Sequence, residues 1–284
     1  MKTILITGVS SGLGRAFAVA ALAAGHRVVG TVRKPKDAKG FEELAATNRA
    51  HALLLDVTDD AAVFAAVADV EATVGPLDVV IANAGYGVEG VFEETPLSQW
   101  RAQFATNVFG VAATLQASLP FMRARRAGHL MAVTSMGGLM AVPGMSAYCA
   151  SKFAVEGMLE SLRKEVSGFG VRVTAIEPGS FRTDWAGRSM TRADRAIADY
   201  DTLFDPIRAA RLAASGHQLG DPEKAAKAVL QIVDMADPPA HLVLGSDALR
   251  LIGEARAAVD DDIRRWDALS RSTDFDDRVQ PATR

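Results

Sequence analysis

The chain has little of what several classes of protein require. Cys149 is the only cysteine among 284 residues, which excludes an intramolecular disulfide and a metal cluster built from cysteines. No apolar run reaches the roughly 18 to 20 residues that a membrane-spanning helix needs. The 31 basic residues do not outnumber the 34 acidic ones, so no positive field attracts nucleic acid or an anionic membrane. The partners that we expect are small molecules.

Two further absences concern metals and location. The sequence contains no HExxH or paired-carboxylate motif, and its histidines show no metal-ligand spacing, so we expect no bound metal. These histidines are His26, His51, His129, His217 and His241. A single cysteine fits a reducing compartment, and the first strand-like segment begins at Lys2, leaving no room for a signal peptide. We therefore expect a cytoplasmic protein.

Short apolar runs rich in Val, Ile and Leu alternate with longer segments of helical period, which is typical of βαβ units. Most of these runs lack period-2 alternation, so helices should cover both faces of the sheet. The fold class that we predict is α/β, a Rossmann-type doubly wound and mainly parallel seven-stranded sheet. The predicted strands are residues 2–7, 27–32, 50–55, 77–82, 129–134, 171–177 and 241–244.

The chain has no linker and no internal repeat, which indicates one domain over residues 1–245. Predicted helices cover residues 12–24, 59–74, 97–125 and 147–166. Residues 180–220 break this rhythm, and we interpret them as a long irregular lid over the substrate. Residues 246–284 are predicted to form a helical tail with frayed residues from about Asp274. Its apolar stripe packs either on the core or on a second subunit.

A glycine-rich turn, Thr7-Gly-Val-Ser-Ser-Gly-Leu-Gly14, connects the first strand to the first helix. Gly8 permits turn dihedrals, Gly12 lets the backbone approach a pyrophosphate, and Gly14 lets the helix and strand pack closely. The helix N-terminus favours an anion. A purely structural turn would have the same letters, so this motif needs support from the rest of the chain.

Tyr148 and Lys152 are spaced i and i+4, so they share one face of a helix. A lysine charge beside a phenol favours the ionised form, so we expect the pKa of Tyr148 to fall from about 10 toward working pH. Such a tyrosine exchanges a proton with a carbonyl or alcohol oxygen. Ser135 follows a parallel strand, at the edge where ligands bind, and its hydroxyl could stabilise charge on the same oxygen. An ordinary surface pair on a helix is the alternative.

With these motifs in order, the chain resembles the short-chain dehydrogenase/reductase family, of the classical one-domain type, over about residues 2–245. The turn after the fourth strand, Asn83-Ala84-Gly85, matches this family. The resemblance makes Asn107, Ser135, Tyr148 and Lys152 the catalytic tetrad, with Asn107 supporting a proton path and Lys152 holding the nicotinamide ribose. The cofactor-binding residues that it implies are Gly8, Ser10, Ser11, Gly12, Leu13, Gly14, Arg33, Asp56, Val57, Asn83, Ala84, Gly85, Tyr148, Lys152, Pro178, Gly179, Phe181 and Thr183.

The residues after the second strand bear on which nicotinamide binds. In the Rossmann pattern an acid there holds the adenosine ribose, whereas a base suits a 2′-phosphate. Aligned with the family, Val32 replaces the acid and Arg33 follows it, with Lys34 and Lys36 nearby. We therefore favour NADP(H) over NAD(H), since guanidinium suits phosphate. A solvated basic loop is the alternative.

The leading hypothesis is an NADP(H)-dependent oxidoreductase acting on a carbonyl or secondary alcohol, with reduction as the expected direction. A regulatory protein that senses nicotinamide is the second, and a sugar-nucleotide epimerase is the third, which the glycine spacing and the size of the C-terminal region disfavour. An apolar pocket predicts a hydrophobic substrate. The resemblance implies a homodimer or homotetramer formed through the helices at 97–125 and 147–166. The predicted pocket residues are Phe181, Trp185, Tyr200, Phe204, Leu139, Pro143 and Met145.

Overall fold

Seven parallel strands form the central sheet in the computed structural model, which describes residues 1–45 and 48–275. All seven predicted strands are present, with ends within two residues of the predicted ones. Two short strands, β5 and β8, were not predicted, and they pair with each other in parallel. The strands are β1 Thr3–Ile6, β2 Arg27–Val32, β3 Ala50–Leu54, β4 Val79–Ala82, β5 Gly87–Glu89, β6 Gly128–Val133, β7 Val171–Pro178, β8 Met190–Arg192 and β9 His241–Leu244.

The strand order is β3-β2-β1-β4-β6-β7-β9, and every neighbouring pair is parallel. The chain builds outward from β1 to β3, then returns to the other side of β1 with β4. The order therefore reverses between β1 and β4, where the carboxyl ends of the strands open a crevice for ligands. This architecture confirms the predicted doubly wound sheet.

Helices cover both faces of this sheet, because successive side chains of a strand point to opposite faces. Ile4 and Ile6 pack into one core with Phe17 and Val229, whereas Leu5 packs into the other core. The helices are α1 Gly12–Ala23, α2 Pro35–Glu42, α3 Asp60–Thr73, α4 Leu97–Phe104, α5 Gly110–Arg125, α6 Ser146–Val166, α7 Asp201–Ala213, α8 Pro222–Val233, α9 Ser246–Arg265 and α10 Asp267–Arg271.

The predicted helix over residues 97–125 is interrupted by one wide turn. A π-helical turn, Ala105–Phe109, lies between α4 and α5 and contains Asn107. Such turns often occur at functional sites, because the extra residue re-aims the side chains around it. The sequence pattern carries no sign of this turn, since π and α helices have similar apolar spacing.

The segment predicted to be an irregular lid is more ordered than expected. Residues 180–220 contain β8 and α7, and β8 pairs with β5 on the body of the domain. The prediction of a wholly irregular insertion is therefore wrong. It missed α7 because aromatic and charged residues obscured a helical pattern with Phe204 buried on one side.

The C-terminal tail is helical as far as the structure describes it. Ile252 of α9 is buried, whereas Val259, Ile263, Trp266 and Leu269 are exposed, so only the beginning of the apolar stripe packs on the domain. The predicted frayed end lies beyond Phe275 outside the described residues. Within residues 1–45 and 48–275, we find no helix with the length and apolar character to cross a membrane.

Candidate functional site

A cavity of about 1210 Å³ opens at the carboxyl edge of the sheet, where the strand order reverses. Every residue predicted to bind cofactor lines this cavity, from the glycine turn to Thr183. Ser135, Tyr148 and Lys152 line it as well. Residues from distant parts of the chain thus converge on one space, which an ordinary surface pair at Tyr148 and Lys152 would not explain.

The glycine turn is held by the residues after β4. The Thr7 hydroxyl accepts hydrogen bonds from the backbone N–H groups of Asn83 and Ala84, each at 2.9 Å. In return, the Asn83 side-chain amide donates to the carbonyl oxygens of Thr7 and Gly8. Asn83 therefore shapes the glycine turn with its side chain as well as with its backbone N–H.

Two positions of the turn require glycine, one because of its backbone conformation and one because of close packing. Gly8 has φ +75°, a left-handed conformation that favours glycine. A Cβ on Gly14 would lie 2.3 Å from both the Gly8 carbonyl oxygen and the Asn83 amide nitrogen, so no side chain fits there. The turn and α1 consequently pack closely, as the spacing predicted.

The first turn of α1 suits the pyrophosphate of a dinucleotide. The helix begins at Gly12, directly against the cavity, and no side chain caps its N-terminal N–H groups. Its first turn also carries no acidic residue that would repel an anion. Free N–H groups and the helix dipole at this position bind phosphate well.

Arg33 and Asp56 both line the cavity, and the charge of Arg33 acts on the Asp56 carboxyl. Asp56 accepts hydrogen bonds from the backbone N–H and hydroxyl of Thr58 at 3.0 and 2.9 Å. These bonds are the main cause of a lowered Asp56 pKa, to which the Arg33 charge contributes. Arg33 is solvent-exposed and forms part of the cavity wall. An anionic group bound here would form an ion pair with the exposed Arg33 guanidinium.

Tyr148 is flanked by Ser135 and by an aromatic ring of the lid segment. Trp185 lies 5.2 Å from Tyr148 between ring centroids, and the two rings are tilted by 60°. Burial raises the pKa of Tyr148 above its ordinary value, and a hydrogen bond with Ser135 acts in the opposite direction. The expectation that a neighbouring lysine lowers this pKa is wrong for the structure, because desolvation outweighs other effects. The phenol is thus held in its protonated form.

Lys152 is buried on the same helix, one turn after Tyr148. Its Nζ donates to the Val133 carbonyl oxygen at 2.8 Å and lies 5.7 Å from the centroid of the Tyr148 ring. Burial lowers the pKa of Lys152 to about 8, and the Glu156 carboxyl acts to raise it. The lysine is therefore close to its titration point near neutral pH.

Asn107 is the one predicted tetrad residue that does not line the cavity. Its side chain is fully buried, where the amide accepts from the Tyr86 N–H at 3.1 Å and donates to the Tyr86 carbonyl oxygen at 2.9 Å. It also donates to the Ser151 hydroxyl at 3.2 Å. Asn107 thus joins the loop after β4 to α6, and through α6 to Tyr148 and Lys152.

The predicted apolar pocket is only partly correct. Phe181, Trp185 and Met145 line the cavity. Phe204 instead packs under Gly144, and Tyr200 donates a hydrogen bond to Glu93 at 2.8 Å. These two aromatic residues attach the lid segment to the body of the domain instead of lining the cavity. Leu139 and Pro143 also lie outside the lining.

Thr31 and Tyr86 are among the residues of the cavity that sequence reasoning did not identify. The Thr31 hydroxyl accepts a hydrogen bond from the Gly8 N–H at 3.0 Å, which ties the glycine turn to β2. Tyr86 lines the cavity directly after Gly85, and burial raises the pKa of its phenol. Thr31 could have been found as a hydroxyl residue near the carboxyl end of a parallel strand.

One histidine, His241, lies beside three acidic residues in the fold. The Nδ1 of His241 is 2.5 Å from a Glu177 oxygen and 3.9 Å from a Glu156 oxygen. The three side chains could hold an ion, although the sequence spacing did not suggest it. Both nitrogens of His241 already contact carboxylates, since Nε2 is 3.0 Å from Glu160. The expectation of no metal stays a prediction.

Comparison with known proteins agrees with this geometry. The profile of the short chain dehydrogenase family matches residues 2–194. The chain is 36% identical to "Oxidoreductase BOA17" of Botryotinia fuckeliana, over 95% of this chain and 98% of that protein. It is 37% identical to an "NADPH-dependent 3-dehydrocapnine reductase" of Ornithobacterium rhinotracheale, over 72% of this chain and 74% of that one.

A crystal structure of a short-chain dehydrogenase from Streptomyces avermitilis superposes with a TM-score of 0.89. That protein is 38% identical to this chain, and the match covers 96% of this chain and 98% of the other. These relatives are oxidoreductases, which favours an enzyme over a regulatory sensor. The chain therefore belongs to the short-chain dehydrogenase family and is an oxidoreductase that uses a nicotinamide cofactor on a small-molecule substrate.

Proposed function

We propose that this enzyme is an NADP(H)-dependent reductase of a hydrophobic ketone or aldehyde, with Tyr148 as the general acid. The observation that carries the proposal is the convergence of Ser135, Tyr148 and Lys152 on the cavity that also contains the glycine turn. The nicotinamide supplies the hydride, and the protein supplies the proton and the alignment.

In the proposed mechanism, the Tyr148 hydroxyl donates its proton to the carbonyl oxygen of the substrate. The phenol carries its proton at neutral pH, as a general acid in the reductive direction must, although its raised pKa makes it a weaker acid. Ser135 donates a hydrogen bond to the same oxygen and stabilises the developing charge. The Lys152 ammonium, held by the Val133 carbonyl, favours the phenolate that remains. Asn107 maintains the spacing of the loop and helix around this centre.

The preference for NADP(H) rests on the end of the cavity beyond β2. Arg33 would pair with a 2′-phosphate, and Lys34 adds a second positive charge to the same wall. Val32 is buried and has no carboxylate to hold the ribose hydroxyls that NAD(H) presents there. The NADPH dependence named for the Ornithobacterium relative is consistent with this proposal.

The substrate would occupy the part of the cavity between Tyr148 and the lid segment. Val142, Met145 and Trp185 form an apolar wall there, and such walls favour a medium-sized hydrophobic compound. We propose that residues 180–220 act as the substrate lid. Activity confined to small, highly charged carbonyl compounds would contradict this assignment.

Turnover of a carbonyl panel by wild type and by Tyr148→Phe tests the catalytic role. Loss of the general acid should lower kcat by about 100-fold or more, with NADPH binding retained. Tyr200→Phe is the matched control, because it removes a phenol that bonds Glu93 outside the cavity. Retention of full turnover in Tyr148→Phe would overturn the mechanism, and NADPH binding without any turnover in wild type would favour a sensor.

Fluorescence titration with NADPH and NADH tests the cofactor preference. Arg33→Ala should weaken NADPH binding by about 10-fold or more and leave NADH binding little changed, because one charged hydrogen-bond partner is removed. Lys36→Ala removes a neighbouring exposed charge that does not line the cavity. Equal affinity of wild type for both cofactors would contradict the proposal.

We also propose a homodimer or homotetramer formed through α4, α5 and α6. Phe109, the last residue of the π-helical turn before α5, and Phe153 of α6 are large apolar side chains with 62% and 46% of their surface accessible. Contiguous exposed apolar surface commonly marks a subunit contact. Light scattering that finds only monomer at working concentration would remove this proposal.

A further inference from the structure

The helix that carries Tyr148 and Lys152 continues with two glutamates at the same spacing. Tyr148, Lys152, Glu156 and Glu160 follow one another at intervals of four residues along α6, so they share one face. Lys152 and Glu156 are both buried, with 5% of each residue exposed. The lysine of the proposed mechanism therefore has a buried carboxyl group one helical turn away.

Glu156 faces two further titratable groups from neighbouring strands. Its surroundings include Glu177 of β7 and His241 of β9 as well as Lys152, and Arg256 of α9 acts on Glu177. Among the described residues, no hydrogen bond of standard geometry holds either oxygen of the Glu156 carboxyl. The charge on this carboxyl consequently depends on the charged groups around it.

His241 supplies the positive charge at the solvent end of this cluster. Its Nδ1 contacts Glu177 at 2.5 Å and its Nε2 contacts Glu160 at 3.0 Å, while 41% of the side chain is exposed. An imidazole that donates from both nitrogens is protonated. These contacts raise the pKa of His241 despite partial burial.

We propose that Glu156 is a positioning residue that keeps Lys152 positively charged, and that His241 in turn favours the ionised form of Glu156 beside the like-charged Glu177. This inference rests on the proposed function for the catalytic importance of Lys152. Its physical content is a cluster in which two positive groups, the partly exposed imidazolium and the buried ammonium, act on the buried Glu156 carboxyl against the repulsion of Glu177. None of Glu156, Glu177 and His241 needs to touch the substrate.

The pKa values define the pH range in which this arrangement acts. The Glu156 pKa is raised to about 7, mainly by burial, and the Lys152 pKa is about 8. Below pH 7 the lysine is protonated whether or not Glu156 is ionised. Between pH 7 and 8, Glu156 becomes ionised over the same range in which Lys152 begins to lose its proton. The carboxylate therefore keeps the lysine protonated to a higher pH.

The main test compares Glu156→Gln with wild type by two measurements. The first is NMR titration of ¹³Cε-labelled lysine, with the Lys152 signal assigned by its absence in Lys152→Met. The second is the pH profile of kcat and kcat/KM for carbonyl reduction. Glu156→Gln should lower the Lys152 midpoint by about one pH unit or more, and should move the alkaline limb of activity by the same amount. Activity at pH 6 should remain close to that of wild type.

Further variants separate electrostatics from packing. Glu156→Asp keeps the charge and should recover part of the shift, whereas His241→Asn should cause a smaller shift in the same direction because it destabilises the Glu156 carboxylate. Glu165→Gln makes the same charge change at an exposed position of α6 and should leave both measurements unchanged. If Glu156→Gln does not fold, His241→Asn and Glu156→Asp carry the test.

Two results would overturn the proposal. One is an unchanged Lys152 midpoint, or an activity loss that is uniform across pH, since either would make Glu156 a packing residue. The other is a shift of the wild-type pH profile after dialysis against EDTA, because this shift would show that a divalent ion is bound by Glu156, Glu177 and His241. Full activity of Tyr148→Phe would refute the proposed function alone, since the NMR midpoint tests Glu156 without any turnover.

Discussion

Glu89 should anchor the lid segment to the body of the enzyme, and Glu89→Gln should release it. The Glu89 side chain is completely buried, and Arg192 and Arg211 of the lid segment pair with its two oxygens. Arg192 approaches at 2.8 Å, and both arginines are about four-fifths buried, with 22% and 18% of their side chains exposed. The variant retains the shape of the side chain but leaves two arginines without their anion.

The size of the effect follows from this burial. Removal of one partner from a buried ion pair costs about 3 to 5 kcal/mol. The arginines keep some contact with water and with the carbonyl oxygens of Ala186 and Pro143, so we expect about 3 kcal/mol. The contact lies between the lid segment and β5, so part of this loss should appear as local opening. We expect opening of this kind to change KM and kcat together.

Urea unfolding, limited proteolysis within residues 180–220 and steady-state kinetics measure these effects. Glu254→Gln is the matched control, because Glu254 forms an exposed pair with Arg250 in which both side chains are 61% accessible. Exposed pairs of this kind contribute about 0.5 kcal/mol or less. A loss of less than about 1 kcal/mol in Glu89→Gln, with a lid cleaved no faster than that of the control, would show that Glu89 does not anchor the lid segment.

Three further predictions concern stability. Gly14→Ala should lower stability by about 1 to 3 kcal/mol and weaken cofactor binding, because its Cβ would overlap the Gly8 carbonyl; thermal unfolding and NADPH titration check this. Burial lowers the pKa of His129 to about 4, so stability should fall by about 3 kcal/mol as pH drops from 6.5 to 4. Urea unfolding at pH 7 and 4.5 should show this loss in wild type, and a smaller one in His129→Gln. Asp221→Ala removes the N-cap of α8 and should cost about 1 kcal/mol, measured by urea unfolding at pH 7.

Much of the site was predictable because its residues follow strands at one edge. Gly8, Ser135 and Pro178 come at or after the ends of β1, β6 and β7, and parallel strands present these ends together. Recognition of the strands therefore also located the cavity. Thr31 lies one residue before the end of β2, at the same edge, so the same reasoning could have found its hydroxyl although it was missed.

The pKa of Tyr148 could not be predicted from spacing. The i, i+4 relation with Lys152 indicated proximity, but the direction of the shift depended on desolvation by Trp185 and other residues distant in sequence. Asn107 illustrates a similar limit. Its position was predicted, whereas its bonds to Tyr86 and Ser151 depend on a π-helical turn that leaves no mark in the apolar pattern.

The family resemblance implied the cofactor-binding residues around the cavity, and the sequence by itself determined the doubly wound sheet and the glycine turn. Those features depend on apolar periodicity, backbone sterics and the geometry of parallel strands, all of which act over short stretches of chain. Only the tertiary structure decided the ionisation of Tyr148 and Lys152, the anchoring of the lid segment on Glu89, and the meeting of Glu156, Glu177 and His241. Burial and charge pairing between distant segments control these properties, because the energy of a charge depends on everything that surrounds it in three dimensions.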